Sequence, residues 1–163
     1  MIYQLLMNQA IFMDKYAPLS MEKLDGIIFY TMDKAIRTYR QYAQKQLKKA
    51  GFTITIDQWL IIKSILENPG IPQQELAEMT FKDNASVTRI IDLLVKAQYL
   101  RRTMHSTDRR RANLEVTKEG KKVIADVQKT VLKNRATALN GIDQKTITSM
   151  KNTLQTIIDN CES

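Results

Sequence analysis

Along most of this chain, apolar residues recur at intervals of three and four, which is the spacing of one face of an α-helix. The pattern is clear after Asn84, where Val87, Ile90, Ile91 and Leu94 lie on one face of a potential helix. Five glycines and three prolines are few for a chain of 163 residues. The sequence therefore predicts a mostly helical protein that is long enough to bury a core.

Residues that cap helices divide this pattern into segments. Thr55 and Gln58 have the spacing of a capping box, and Ser20, Thr117 and Asp143 can cap other helices. The helix that follows Thr55 carries apolar residues on more than one side, so we expect it to be central. The predicted helices cover residues 20–49, 55–68, 72–79, 84–97, 117–139 and 144–161.

A hairpin of two short strands is predicted between the helices at 84–97 and 117–139. Its strands run from Leu100 to His105 and from Ala112 to Val116. The turn between them holds Asp108, Arg109, Arg110 and Arg111. Three consecutive guanidinium groups at a hairpin tip are suited to contact phosphates or a narrow minor groove.

The charge of the chain strengthens this interpretation. The net charge is +8 and the isoelectric point is about 9.6, which favours a polyanionic partner, nucleic acid before an anionic membrane surface. Overall charge alone is equally typical of an ordinary basic protein. However, residues 101–122 contain eight basic and three acidic residues, so the positive charge is concentrated around the hairpin.

Other functional classes lack the residues they need. We find no glycine-rich phosphate loop, no nucleophile–base pair and no motif of paired carboxylates, so no enzyme activity is expected. His105 is the single histidine and Cys161 the single cysteine, which predicts neither a metal site nor a cofactor. A chain without an internal disulfide fits a reducing cytoplasm. Residues 1–13 are mildly apolar, lack a basic start and are too short to span a bilayer, so we expect an N-terminal extension at 1–19 and no membrane partner.

The order of helix, turn, helix and basic hairpin is typical of a winged helix-turn-helix. Its second helix needs one apolar face for docking and one polar face for the major groove. The polar candidates at 84–96 are Asn84, Ser86, Thr88 and Arg89. Arg89 can pair with O6 and N7 of guanine, and the helix start at Asn84 favours a phosphate. The alternative is an ordinary solvated helix face.

The segment from Thr88 to Gly120 resembles the MarR family of bacterial transcription regulators. The resemblance is carried by Val87-Thr-Arg-Ile-Ile-Asp-Leu-Leu94, Tyr99-Leu-Arg-Arg102, Asp108-Arg-Arg110 and Val116-Thr-Lys-Glu-Gly120. It implies a winged helix-turn-helix domain at 55–120, flanked by dimerisation helices at 20–54 and 121–163. It also implies a homodimer that binds pseudo-palindromic promoter DNA, usually as a repressor.

The resemblance further implies roles for the hairpin residues. Asp108 would hold the shape of the wing, and Arg110 would be its principal DNA contact, supported by Arg109 and Arg111. Gly120 would allow close packing where the hairpin passes into the next helix. The family commonly has glycine at the end of the second helix, where this chain reads Lys96-Ala97-Gln98-Tyr99. Either Gln98 takes the left-handed cap itself, or the helix ends differently.

Two apolar stripes in the C-terminal helices favour contact between subunits. Ile147, Met150, Leu154, Ile157 and Cys161 have coiled-coil spacing, and Ile124, Val127 and Val131 repeat the rhythm in the preceding helix. The alternative is that both stripes face the core of their own subunit.

By resemblance, a small aromatic or lipophilic effector would bind between the dimerisation layer and the DNA-binding domain. The candidate residues are Tyr30, Tyr39, Tyr42 and Trp59, whose alternative role is ordinary core packing. Two further alternatives are a constitutive DNA binder without a ligand and a winged-helix module that binds protein. The charged side chains at 86–96 favour DNA over protein as the partner.

Overall fold

The computed structural model describes residues 23–104 and 112–162, and its chain divides into two compact units, residues 1–39 and 40–163. In the first unit, a 3-10 turn at Leu24–Gly26 precedes helix α1, which spans Ile28–Lys49 and continues into the second unit. The helix predicted from Ser20 thus begins at Ile28, which corrects the prediction. Ile27 is extended, with φ −79° and ψ 114°, so the helical backbone is interrupted before α1. Ser20 lies outside the described residues.

Five more helices and a hairpin make up the described part of the second unit beyond α1. Their bounds are α2 Ile56–Glu67, α3 Gln73–Met79, α4 Asn84–Lys96, β1 Leu100–Met104, β2 Ala112–Val116, α5 Lys118–Ala138 and α6 Gln144–Glu162. The strands pair antiparallel, with Leu100 opposite Val116 and Met104 opposite Ala112. The predicted fold class, mostly α with a small β-hairpin, is confirmed.

Helix α2 lies at the centre of the second unit, as its apolar pattern predicts. Thr55 Oγ1 accepts a hydrogen bond from Gln58 N (3.1 Å), and Gln58 Oε1 accepts one from Thr55 N (2.9 Å). The predicted capping box is therefore confirmed. The adjacent residues Ile61 and Ile62 are both fully buried, because α2 packs against α3, α4, α5 and β2.

The core of the second unit draws on α1 to α5 and on both strands. Its members are Leu47, Ile54, Ile61, Ile62, Ile65, Leu76, Ala77, Val87, Ile91, Leu94, Leu100, Leu114 and Val127. Each large apolar side chain removed from water contributes on the order of 1.5–3 kcal/mol, so this cluster fixes where α4 and the hairpin sit.

The two C-terminal stripes differ in what covers them. On α5, Val127 is fully buried, and Ile124 and Val131 pack against the core of their own subunit. This corrects the prediction that the α5 stripe serves a contact between subunits. Helix α6 buries no residue, and Met150 on its seam is 46% exposed.

Helix α4 is bracketed by two non-glycine residues in the left-handed region. Gln98, which follows α4, has φ +62°, so it takes the left-handed cap in place of the family's glycine. Tyr99 N then donates to Leu94 O (2.9 Å) and closes the helix. Phe81, in the turn before α4, has φ +53° and is 94% exposed. No pattern in the sequence indicates this left-handed conformation.

Candidate nucleic-acid interface

The N-terminus of α4 is capped by Asp83. Its Oδ1 accepts from Ser86 N (2.7 Å), and its Oδ2 accepts from the hydroxyl of Ser86 (2.7 Å). The hydrogen bonds from the Ser86 side chain and then from its backbone lower the pKa of Asp83, so the carboxylate is charged at neutral pH. Beside Asn84, the helix start therefore already holds an anion, where the sequence analysis expected room for a phosphate.

Thr88 is held by two hydrogen bonds within the protein. Its hydroxyl donates to the carbonyl oxygen of Asn84 (2.8 Å) and accepts from Nε2 of Gln73 (2.7 Å). The hydroxyls of both Ser86 and Thr88 thus donate to protein atoms. A hydroxyl has one hydrogen to donate, so toward a base each retains only acceptor capacity.

Arg89 differs from every other arginine that the structure describes. The other five have partners within the chain: Arg37 with Asp33, Arg40 with Asp57, Arg101 with Glu115, Arg102 with Asp92, and Arg135 with the ring of Trp59. Arg89 is exposed, and no acceptor or ring among residues 23–104 and 112–162 pairs with it. Its guanidinium donors are therefore available to an external partner.

The exposed face of α4 comprises Ala85, Arg89, Asp92, Leu93 and Lys96. It lies opposite the buried stripe of Val87, Ile91 and Leu94. The carboxylate of Asp92 on this face pairs with Arg102 Nη2 of β1 at 2.7 Å. This ion pair connects the hairpin to α4 and neutralises the carboxylate of Asp92, which lies three residues after Arg89.

Close packing fixes the base of the hairpin against the end of α4. A Cβ atom on Gly120 would lie 2.2 Å from the carbonyl oxygen of Tyr99, so only glycine fits without displacing the backbone. Thr117 Oγ1 caps α5 by accepting from Gly120 N (3.0 Å), and it donates to Gln98 O (2.6 Å). The hairpin therefore leaves α4 at a fixed angle.

The predicted hairpin tip is outside the described residues. This applies to Asp108, Arg109, Arg110 and Arg111, whose assignments remain predictions. The described strands end at Met104 and Ala112, the last pair of the ladder.

The four predicted effector residues divide between the two units. Tyr30 and Tyr39 belong to the first unit, and Tyr42 and Trp59 to the second. Neither of the two open cavities described in the second unit is lined by any of them. Trp59 is nevertheless unusual: its Nε1 is buried without a hydrogen-bond partner among the described residues, and the Arg135 guanidinium lies 5.9 Å from its ring centroid.

Sequence reasoning missed three residues that shape this surface: Gln73, Asp83 and Arg102. A signal for Asp83 existed, because an Asp three residues before a Ser in a helix start is typical of an N-cap. Gln73 and Arg102 act on residues in other elements, and no local pattern indicates such contacts.

Two further observations concern the described residues, 23–104 and 112–162. No helix among them is both long and apolar enough to cross a membrane. Within the same ranges, no group of three or more His, Cys, Asp or Glu side chains is placed to hold a metal ion.

Comparison with known proteins agrees with this geometry. Residues 54–112 match the MarR family model. The chain is 36% identical over 78 residues to the HTH-type transcriptional regulator FarR of Neisseria gonorrhoeae, covering 48% of this chain and 53% of FarR. It is 32% identical over 99 residues to the uncharacterized HTH-type transcriptional regulator YhbI of Bacillus subtilis, covering 58% of this chain and 64% of YhbI. The match thus spans less than two thirds of either relative.

A solved structure extends the likeness in fold over most of the chain. Bordetella bronchiseptica BpsR, whose DNA binding is described as regulated by 6-hydroxynicotinic acid, has a TM-score of 0.75 at 14% identity, covering 87% of this chain and 98% of that one. At this identity the likeness concerns the fold alone. The family match at 54–112, the fold and the helix–turn–helix–hairpin order agree that this part of the chain is similar to the MarR family.

Proposed function

We propose that this protein regulates transcription by binding duplex DNA, with α4 in the major groove and the hairpin beside it. The observation that carries the proposal is Arg89 on the exposed face of α4, the one described arginine without a partner among residues 23–104 and 112–162. A free guanidinium that projects from a docked helix matches the bidentate contact to guanine O6 and N7.

The charges on the exposed face of α4 support DNA over a protein partner. Asp92 is compensated by Arg102, so Arg89 and Lys96 leave this face positive. Leu93 is its one large apolar residue and is 49% exposed. A protein-binding face would bury a larger apolar cluster, because the centres of protein interfaces are depleted in charge.

Among the residues predicted to contact DNA, the geometry ranks Arg89 and Asn84 first. Asn84 is exposed, with a side-chain amide that can both donate and accept. Ser86 and Thr88 can contact DNA only as acceptors or through apolar atoms, because their hydroxyls donate within the protein. Arg109, Arg110 and Arg111 complete the surface as contacts to phosphates or the minor groove.

We further propose that the protein acts as a homodimer and represses its target. Several large apolar residues of α5, of the turn that follows it and of α6 are exposed in the second unit: Leu132, Leu139, Ile142, Met150 and Ile158. A two-fold dimer through these helices would present two copies of α4 to successive major grooves, which fits a pseudo-palindromic site.

A small aromatic acid is the effector that fits Trp59 best. The unpaired indole N–H would donate to a ligand oxygen, and Arg135 would supply the positive charge that a carboxylate requires. Of the four predicted effector residues, Trp59 alone combines an unpaired buried donor with a neighbouring cation among the described residues. Tyr30, Tyr39 and Tyr42 remain predicted effector residues.

Titration of a labelled duplex from the chain's own promoter region tests the proposal. We expect tight binding that weakens steeply with salt, because phosphate contacts release counterions. Arg89→Ala should weaken binding about 5- to 150-fold, the range for a lost bidentate base contact. Lys96→Ala is the matched control, because it removes a positive charge from the same face of α4. We expect Lys96→Ala to lower the affinity for the promoter duplex and for unrelated DNA by the same factor.

Absence of salt-dependent binding by the parent protein would contradict DNA binding. Equal losses for Arg89→Ala on the promoter duplex and on unrelated DNA would contradict base recognition by Arg89. Repeating the titration with small aromatic acids tests the effector, and unchanged affinity with every acid would argue for a constitutive DNA binder.

A further inference from the structure

One hydrogen bond joins the two helices of the helix-turn-helix through polar side chains. Gln73, the first residue of α3, donates from Nε2 to Thr88 Oγ1 in α4 at 2.7 Å. The Thr88 hydroxyl in turn donates to the carbonyl oxygen of Asn84 at 2.8 Å. Gln73, Thr88 and Asn84 therefore form a chain that runs from α3 to the first turn of α4.

This chain determines how Thr88 is oriented. In a helix, threonine divides between two χ1 rotamers, because its hydroxyl can bond to a carbonyl in the preceding turn. The Asn84 carbonyl uses the one hydroxyl hydrogen, and the Gln73 amide uses one acceptor position. Because both partners act on the same oxygen, the rotamer is fixed, and so is the direction of the threonine methyl group.

We infer that Gln73 is a positioning residue for sequence discrimination, acting on DNA through Thr88. The inference rests on the proposed DNA binding by α4. A fixed methyl group and a fixed acceptor lone pair can distinguish a thymine methyl or a base amino group in the major groove. Without Gln73, Thr88 can adopt its second rotamer. The threonine methyl and hydroxyl groups then take two orientations toward the DNA in place of one.

The hydrogen bond is not required to hold the two helices together. Leu76 and Ala77 of α3 and Val87 and Ile91 of α4 are buried in one core cluster. Gln73 and Thr88, by contrast, are both half-buried. Loss of the Gln73 amide should therefore leave the fold intact and change the preference of α4 for one DNA sequence over another.

Helix α3 offers a matched control at the next position. Gln74 is exposed, and its Nε2 reaches only Glu78 of its own helix at 3.4 Å. Substitution of Gln74 removes the same chemical group from the same helix without touching α4.

The test measures affinity for the promoter duplex and for an unrelated duplex of equal length, using the full chain. The variants are Gln73→Ala, Gln73→Met, Thr88→Val, the double variant Gln73→Ala/Thr88→Val, and Gln74→Ala. Gln73→Met keeps the side-chain volume and lacks the donor. We expect Gln73→Ala and Gln73→Met to lower promoter affinity about 2- to 10-fold, the range for one neutral hydrogen bond. Affinity for the unrelated duplex and the melting temperature should change little.

The double variant provides the stricter criterion. If Gln73 acts only through Thr88, the double variant should match Thr88→Val, since the two single effects share one interaction. Gln74→Ala should match the parent.

Additive losses, an equal loss on both duplexes, or unchanged discrimination in Gln73→Ala would each overturn the inference while leaving DNA binding by α4 in place. A parent protein that binds neither duplex would instead contradict the proposed function itself.

Discussion

Helices α4 and α6 have nearly the same local design and opposite surroundings. Both carry apolar residues at steps of three and four, and both begin at an aspartate whose Oδ1 accepts a backbone N–H at 2.7 Å, from Ser86 in α4 and from Thr146 in α6. On α4, Val87, Ile91 and Leu94 are fully buried. On α6, no residue is buried.

The difference shows that an apolar stripe predicts which face of a helix needs a partner but not where that partner comes from. For α4, the partner surface is provided by α2, α3 and β1 of the same chain. For α6, the described residues leave Met150 of the seam 46% exposed, so this face lacks a complete partner surface among them. A second copy of the chain satisfies this need, in keeping with the proposed dimer.

The largest expected effect comes from truncating one apolar side chain in each helix, because the two truncations should change the free energy of unfolding in different ways. Ile91→Ala is expected to lower the free energy of unfolding by about 2–5 kcal/mol, because it leaves a cavity in a closed core. Leu154→Ala on α6 should act on assembly, so its cost should vary with protein concentration. Urea denaturation at two concentrations, with light scattering for mass, measures both. A concentration-independent cost for Leu154→Ala would place the α6 seam in its own subunit.

Features that depend on neighbouring positions were predictable from the sequence. The capping box of α2 needs only Thr55 and Gln58, and the buried stripe of α4 needs only its own spacing. The left-handed conformation of Gln98 was one of two alternatives that the missing glycine at the end of the helix left open. In each case the physical cause lies within one turn of the residue.

Features that depend on distant partners were not predictable. The stripe on α5 has the same rhythm as that on α6, and only tertiary packing shows that Val127 belongs to the core. The hydroxyl of Thr88 was expected to face DNA, but its one hydrogen is donated to Asn84 O, and Gln73 occupies one of its two acceptor positions. The late start of α1 at Ile28 reflects an extended Ile27, where helical periodicity in the sequence continues.

A smaller effect should come from the turns that precede the two helices. Phe81 before α4 has φ +53°, whereas the corresponding turn before α6 uses Gly141 with φ +82°. Because Phe81 is 94% exposed, Phe81→Gly should lose little packing and should raise stability by up to about 1 kcal/mol. Gly141→Ala should lower stability by about 1–2 kcal/mol for the same steric reason. Thermal and urea denaturation measure both changes, and a destabilised Phe81→Gly would show that the aromatic ring has a stabilising contact.

The smallest effect concerns pH, because Asp83 and Asp143 are fully exposed and solvent screens their interactions. Hydrogen bonds lower the pKa of both below the ordinary 3.8, chiefly from the Ser86 side chain for Asp83 and from the Thr146 backbone for Asp143. A lowered pKa in the folded state means that protons bind the unfolded chain first. Each cap should thus stabilise fully above pH 3.8, and that contribution should be lost as the pH falls through the lowered value.

Asparagine caps helices about as well as aspartate but does not titrate. Asp83→Asn and Asp143→Asn therefore isolate the pH-dependent contribution of each cap to stability. The difference in unfolding free energy between parent and variant, measured in urea from pH 7 to about pH 3, should decline toward acid for both helices. A decline for Asp83 alone would show that the two caps differ in energy despite equal distances. That result would assign the difference to the Ser86 hydroxyl, whose hydrogen bond is the largest cause of the lowered pKa of Asp83, whereas the Thr146 backbone N–H outweighs the Thr146 side chain for Asp143.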